Sequence, residues 1–322
     1  SSNNAYITGT TEGNLDGQTK TGTYDAFIIK YNSNGVKQWT KLLGVTDVAT
    51  YGYGLAVDSS NNVYLVGDTY GGLDGQTLQG IKDVFLIKYD TSGTKQWTRL
   101  LGVASAETSS MSNGITIDGS NNIFIVGNTD GDLDGETKTG DYDAFVSKYN
   151  SSGVKQWTVL SGVAASETIA YGIKTDSSNN IYISGDTSGD LDEEIKVGDV
   201  DAFVTKYNSS AVKQWTKLLG ADGAYTHAYG LTLDTSNNIY ITGDTDGDLD
   251  GNMSVGITDT YVTKYNTSGV KQWTKTLGLA SSTTGSNAIT IDGSNNVYTT
   301  GSTDGNLDGQ IKAGDLDAFV VK

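Results

Sequence analysis

The side chains with the most chemical potential are carboxylates at alternate positions. Asp246, Asp248 and Asp250, inside the stretch DTDGDLDG at 244–251, place three hard oxygen donors on one short turn, and Asp259 follows thirteen residues after the first of them. Such a set suits Ca2+, which takes about six to eight oxygens. Related sets are Glu12, Asn14 and Asp16 with Asp25; Asp130, Asp132 and Asp134 with Asp143; and Asp304, Asn306 and Asp308 with Asp317. Two others are degraded, to Tyr70, Gly72 and Asp74 with Asp83, and to Ser188, Asp190 and Asp192 with Asp201. None matches an EF-hand, because the twelfth position counted from Asp246 is Ile257 where that motif needs a bidentate Glu. The competing reading is that these Asp and Asn side chains make Asx turns on the loop's own amides, with the final Asp as a local cap. Both readings are open at this level.

No other constellation is as distinct. His227, the only histidine, is expected in a variable link near Asp222 and Tyr225, with no Ser, Cys or second His to make it catalytic, and reads as an ordinary loop residue. Lys30, Lys88, Lys148, Lys206, Lys264 and Lys322 alternate against aromatic residues and read as solvated or edge-protecting charges. Glycosidase-like carboxylate pairs have no basis for selection, since the acids recur with the repeat while an active site needs asymmetry.

The elements that carry these loops follow a period. Trp39, Trp97, Trp157, Trp215 and Trp273, each inside KQWT, are spaced by 58, 60, 58 and 58 residues. That regularity assigns the tryptophans to packing between repeats rather than to a sugar-stacking platform. Within one period four strand-like runs recur, as at 229–234, 237–243, 259–265 and 270–278, rich in Tyr, Val, Ile and Thr and bounded by Asn, Asp, Ser and Gly. No helical periodicity is sustained, so the chain is expected to be all-β. Strands one and two, and strands three and four, are joined by tight turns such as 58–62 and 150–153. The acidic loop joins strand two to three and a variable link such as 220–227 joins strand four to the next strand one. In an up-and-down unit both longer connections emerge on the same side.

Four antiparallel strands per repeat of this length predict β-propeller blades. The pattern GLAVDSSNNVYLVGD followed by DVFLIKYDTSGTKQWTRLLG, within 54–102, resembles the bacterial SBBP β-propeller repeat, and more loosely the NHL and pyrroloquinoline-quinone-type propeller repeats. The resemblance covers essentially the whole chain. It implies a propeller of secreted or surface-attached bacterial proteins, and it informs fold far more than role.

The expected architecture is one domain over 1–322 of six four-stranded blades, with repeat units near 1–44, 45–102, 103–162, 163–220, 221–278 and 279–322. Strand counting gives 22 rather than 24. The terminal blades each lack one strand, so roughly 26 residues are wanting at the 58-residue period, and the bare edges invite association. A net charge of −17 and a pI near 4.3 argue against nucleic acid. Zero cysteines exclude disulfide and thiol chemistry, zero prolines leave turns to Gly, Asn, Asp and Ser, and no apolar run spans a membrane. These features favour a non-enzymatic binding propeller taking a protein or carbohydrate ligand on its long-loop face. The alternatives are a structural subunit that self-associates through its edges, and a lyase or hydrolase acting at a central channel.

Overall fold

The computed structural model describes residues 3–322, so the first two residues of the opening repeat lie outside it. The chain divides into two compact units, 1–161 and 162–322. In the first, β1 (Ala5–Thr11), β2 (Asp25–Tyr31) and β3 (Lys37–Leu43) form a three-stranded antiparallel sheet. Two four-stranded meanders follow: β4 (Thr50–Val57), β5 (Val63–Thr69), β6 (Asp83–Tyr89) and β7 (Lys95–Leu101), then β8 (Thr108–Ile117), β9 (Ile123–Thr129), β10 (Asp143–Tyr149) and β11 (Lys155–Ser161).

The second unit holds two four-stranded meanders and a three-stranded sheet. The meanders are β12 (Thr168–Thr175), β13 (Ile181–Thr187), β14 (Asp201–Tyr207) and β15 (Lys213–Leu219), then β16 (Thr226–Leu233), β17 (Ile239–Thr245), β18 (Asp259–Tyr265) and β19 (Lys271–Leu277). The last sheet contains β20 (Thr284–Ile291), β21 (Val297–Thr303) and β22 (Asp317–Val321). The chain is all-β, built from repeated four-stranded units.

Burial explains the order. In the four-stranded sheets strands two and three are largely hidden on both faces, as in β5 where every residue is buried, so their sequences read as near-continuous apolar runs. Successive sheets pack face to face: Ala26, Ile28 and Leu43 meet Val63, Leu65, Phe85 and Ile87 in one core, with Trp39 at its margin. Leu73, from the acidic loop, plugs the same core, as Leu249 does in the second unit.

Asx chemistry makes the short turns. Asp58 Oδ1 accepts the amides of Ser60 and Asn62, and its Oδ2 accepts from the Asn62 side chain and the Tyr64 hydroxyl, with Asn61 at φ 62°. Lys88 Nζ lies 5.2 Å from the Tyr64 ring centroid and 3.9 Å from Asp58, compensating that sunken charge. The lysines before the strand-three tyrosines, read from sequence as solvated or edge-protecting charges, pack on rings of strand two: Lys206 over Tyr182 and Lys264 over Tyr240 repeat the arrangement. Their long stems bury well, which alternation alone does not reveal.

Two boundaries differ from expectation for one reason. Strand two runs on through Asp244 and Thr245, and strand one begins at Thr226, so His227 is a strand residue and not part of a variable link. These polar residues hydrogen-bond partners in the sheet or in the neighbouring sheet of the same unit, which lets them enter a strand that local polarity would end.

Candidate functional site

Within the units, four acidic loops fold over the link that enters the next sheet, through the short parallel bridges Tyr24–Ala49, Lys82–Glu107, Val200–Tyr225 and Thr258–Thr283. In the second unit the amide of Asp199 donates to Ala224 O, and the short parallel bridge Val200–Tyr225 ties loop to link. Within this frame the loop carboxylates take four separate tasks. The first reaches the link: Asp246 Oδ1 accepts the Tyr225 amide, Asp130 that of Glu107 and Asp304 that of Thr283, while Ser188 uses its hydroxyl for Glu167. Glu12 instead bonds the Tyr24 hydroxyl. The second braces the loop itself, with Asp248 accepting from Ser254, Asp132 from Lys138, Asp190 from Lys196, Asn14 from Lys20 and Asn306 from Lys312.

The third carboxylate is held from the fourth strand of its own sheet. Asp250 sits in the left-handed region at φ 54° and is paired by Lys271 and by the Thr274 hydroxyl; Asp16, Asp74, Asp134 and Asp192 receive Lys37 and Thr40, Lys95 and Thr98, Lys155 and Thr158, Lys213 and Thr216. The fourth is a buried cap. Asp259 accepts the amides of Val255 and Gly256, at 2.8 and 2.7 Å, and Asp25, Asp83, Asp143 and Asp201 repeat this two-amide grip with at most 1% of their surface exposed. Asp317 makes the same bonds in a more open setting.

This dispersal bears on a bound cation. A Ca2+ site needs its oxygens turned toward one point, whereas these are aimed at four different donors. Among the described residues no three His, Cys, Asp or Glu side chains come together closely enough to hold an ion. As arranged here the oxygens do not converge as Ca2+ requires; the Asx-and-cap reading describes the second and fourth positions, while the first and third take donors from the link and from strand four, which it did not anticipate.

A second constellation was missed from sequence. In the second unit His227 Nδ1 lies 2.6 Å from Asp186 Oδ2, and its ring stacks near Tyr229, 5.7 Å between centroids, with Tyr171 edge-on beyond. Burial of the imidazole opposes its charge, yet the hydrogen bond to Asp186 and the fields of Asp186, Asp244 and Asp246 outweigh it and raise its pKa above 6.5. Burial likewise pushes the Asp244 carboxyl up, against the pull of His227. A related cluster in the first unit surrounds Asp68, which burial raises to about 6 despite the Ser110 amide and Lys82. The available signal was asymmetry: the penultimate residue of strand two is Asp at 68, 186 and 244 but Thr10, Asn128 and Ser302 elsewhere.

A pH dependence follows for the His227–Asp186 pair. Because folding raises the histidine pKa, the stabilisation is fully present below pH 6.5 and is lost as pH rises through the folded value. The difference in Tm between the native chain and His227→Asn is expected to be largest near pH 6 and to shrink toward pH 8.5, read by thermal melts across that range. A difference that grows with pH would contradict the pairing.

The loops also expose apolar side chains. In the second unit Ile195 and Val197, then Met253, Val255 and Ile257, then Ile311 and Leu316 stand in water on three successive loops, with Ile195, Met253 and Ile311 at 77, 75 and 87% exposure. Exposed Asp190, Asp199, Asp222 and Asp248 lie in the same loops and link.

Antiparallel four-stranded sheets packed face to face and joined by such loops define the blade repeat of a β-propeller protein. The profile described as SBBP, Beta-propeller repeat, matches residues 38–74, 96–134, 156–192, 214–250 and 272–308, more than half of the sequence. The chain belongs to that family. Each window runs from the Gln of KQWT to the third loop carboxylate.

Regulatory protein FlaEY of Caulobacter vibrioides is 27% identical over 169 residues, which cover 46% of this chain and 17% of that protein. An uncharacterized WD repeat-containing protein of Acanthamoeba polyphaga mimivirus is 25% identical over 183 residues, covering 47% of this chain and 13% of that protein. The chain thus spans less than a fifth of the length of either relative. Among solved structures, an ulvan lyase from a new polysaccharide lyase family superposes with a TM-score of 0.51 at 11% identity, covering 98% of this chain and 76% of that one. At that identity the likeness is one of fold alone.

Proposed function

We propose that this chain is a non-enzymatic binding module that takes a protein ligand on its long-loop face, outside the cell or at a bacterial surface. The observation that carries this reading is the row of exposed apolar side chains on the loops of the second unit, interleaved with carboxylates. Scattered apolar residues on a surface are ordinary, but a concentration on three successive loops marks an interaction site. The chemistry it fits is a segment with aliphatic or aromatic side chains beside Lys or Arg. Loops whose own carboxylates are occupied by amides and lysines are pre-ordered, which lowers the entropic cost of binding.

Panning a random peptide display library against the folded chain tests it. Enriched sequences are expected to combine Lys or Arg with apolar residues and to lose binding to the Met253→Ser, Val255→Ser, Ile257→Ser variant. Enrichment of nothing, or of peptides indifferent to that variant, would overturn the reading, as would binding of glycans alone. One observation favours an enzyme instead: His227, Asp186 and Tyr171 form the asymmetric set that a reaction needs. Turnover of a polysaccharide that disappears in His227→Asn would establish that alternative.

A further inference from the structure

We propose that the first unit holds a binding site for one neutral, hexose-sized sugar ring, in the cavity that β4, β5 and β8 share with the second acidic loop. The site is assembled from residues that depart from the repeat, and it is separate from the apolar loops of the second unit.

Three departures meet at this cavity. The first strands β4, β12, β16 and β20 each carry a one-residue bulge, at Tyr53, Tyr171, Tyr229 and Asn287. In β8 the bulge is longer: Ser110 and Ile115, which pair with Gly127 and Ile125, are five residues apart, where Gly52 and Leu55 in the matching register are three. The two added residues account for the 60-residue interval between Trp97 and Trp157. Lys82 stands where the other loops place Tyr24, Tyr142, Val200, Thr258 and Leu316 just before strand three, so a cation occurs at that position once. Tyr70 takes the place of the first loop carboxylate, and its ring lies 5.9 Å from Lys82 Nζ and edge-on to Tyr51. Bulges re-aim side chains beside functional sites, and here the long one brings Met111 and Ser112 to the same cavity as Lys82.

The cavity has a volume of about 270 Å³ and is lined by Tyr53, Asp68, Lys82, Ser110, Met111 and Ser112. Asp68 is 3% exposed, and its Oδ1 accepts the amide and the hydroxyl of Ser110 at 2.8 and 2.9 Å. Its Oδ2 lies 4.0 Å from Lys82 Nζ, which is 3.1 Å from Glu107 Oε2. A 4.0 Å separation is wider than a hydrogen bond, so this oxygen and the ammonium both keep bonding capacity for a ligand. The hydroxyls of Tyr53 and Ser112 make no hydrogen bond among the described residues.

Charge selects the ligand. Asp68, Glu107 and Lys82 together carry one excess negative charge, which repels phosphates and carboxylates, while the ammonium on the wall repels a cation. A neutral polyol meets neither penalty: adjacent hydroxyls can donate to Asp68 Oδ2 and accept from Lys82, Tyr53 and Ser112. The Tyr53 ring, nearly parallel to Tyr51 with 6.3 Å between centroids, and the Met111 side chain offer an apolar wall to the C–H face of a pyranose. An apolar wall with a few convergent polar groups is the ordinary make-up of a small-ligand site, and this one has room for a single ring.

Glucose, galactose, mannose and neutral trisaccharides built from them are titrated into the 322-residue chain, to the tens of millimolar, and followed by saturation-transfer NMR and calorimetry. At least one hexose is expected to bind with 1:1 stoichiometry. Tyr53→Phe should weaken it roughly tenfold, as removal of one hydrogen-bond partner does, with Tm unchanged because that hydroxyl has no protein partner to lose. The Met253→Ser, Val255→Ser, Ile257→Ser variant should bind the sugar as the native chain does, which separates this site from the loop surface of the second unit. Equal affinity for hexose and trisaccharide would identify a free sugar as the ligand, and tighter binding of the trisaccharide the end of a neutral glycan; both support the site. Absence of saturable binding across the panel, sugar binding unaltered in the Tyr53→Phe, Ser112→Ala double variant, or a preference for glucuronate or glucose 6-phosphate over the neutral sugars would overturn the proposal.

Discussion

Gly220→Ala is expected to cost about 3–5 kcal/mol of stability. A Cβ on Gly220 would fall 1.9 Å from Asp201 Oδ1, and Asp201 is fully buried while accepting the amides of Val197 and Gly198. Relieving that overlap means moving a desolvated carboxylate off its two donors, so both steric strain and unmade hydrogen bonds contribute. Gly44, Gly102 and Gly278 stand in the same relation to Asp25, Asp83 and Asp259 and should behave alike. Gly119→Ala is the control: nothing lies within 4 Å of its Cβ position, and its cost should stay within about 0.5 kcal/mol. Urea denaturation of both variants reads the comparison. Equal stabilities would mean that Asp201 is not the rigid cap described here.

The combined Met253→Ser, Val255→Ser, Ile257→Ser variant is expected to lower affinity for any peptide selected on the loop face by at least about 100-fold while leaving Tm nearly unchanged. Those three side chains are exposed, so their removal withdraws little buried area from the fold. Covered by a partner, each would contribute roughly 1–2 kcal/mol of apolar burial, which together is enough for two orders of magnitude or more. Rim charges such as Asp248 should chiefly change the association rate and its salt dependence. An affinity loss below threefold would place the binding surface elsewhere.

Strand identity was legible because it depends on local signals. The expected run 259–265 coincides with β18, since its apolar and β-branched residues lie between the Asp259 cap and an Asx turn at Asn266. The end of strand two was not legible, because Asp186 and Asp244 look like loop residues until His227, from the strand beside Asp244 in sequence register, supplies a partner and a counter-charge. The acidic positions were all found, but their roles were divided by donors distant in sequence. Lys37, Lys95, Lys155, Lys213 and Lys271 each lie 21 residues after the Asp they pair. That constant interval was present in the sequence, and only the fold of the loop onto strand four gives it meaning.

The central claim is that the loop carboxylates are a hydrogen-bonded scaffold whose donors come from the protein itself. Titrating Ca2+ to millimolar concentration into the metal-free chain, with calorimetry and thermal melts, tests it most directly. The expected result is no saturable heat and a Tm unchanged within about 1 °C, since an ion that does not bind the native state cannot stabilise it. Saturable binding that raises Tm, and that Asp248→Ala or Asp250→Ala removes from one loop, would contradict the claim and make Asp246, Asp248, Asp250 and Asp259 ligands of a cation.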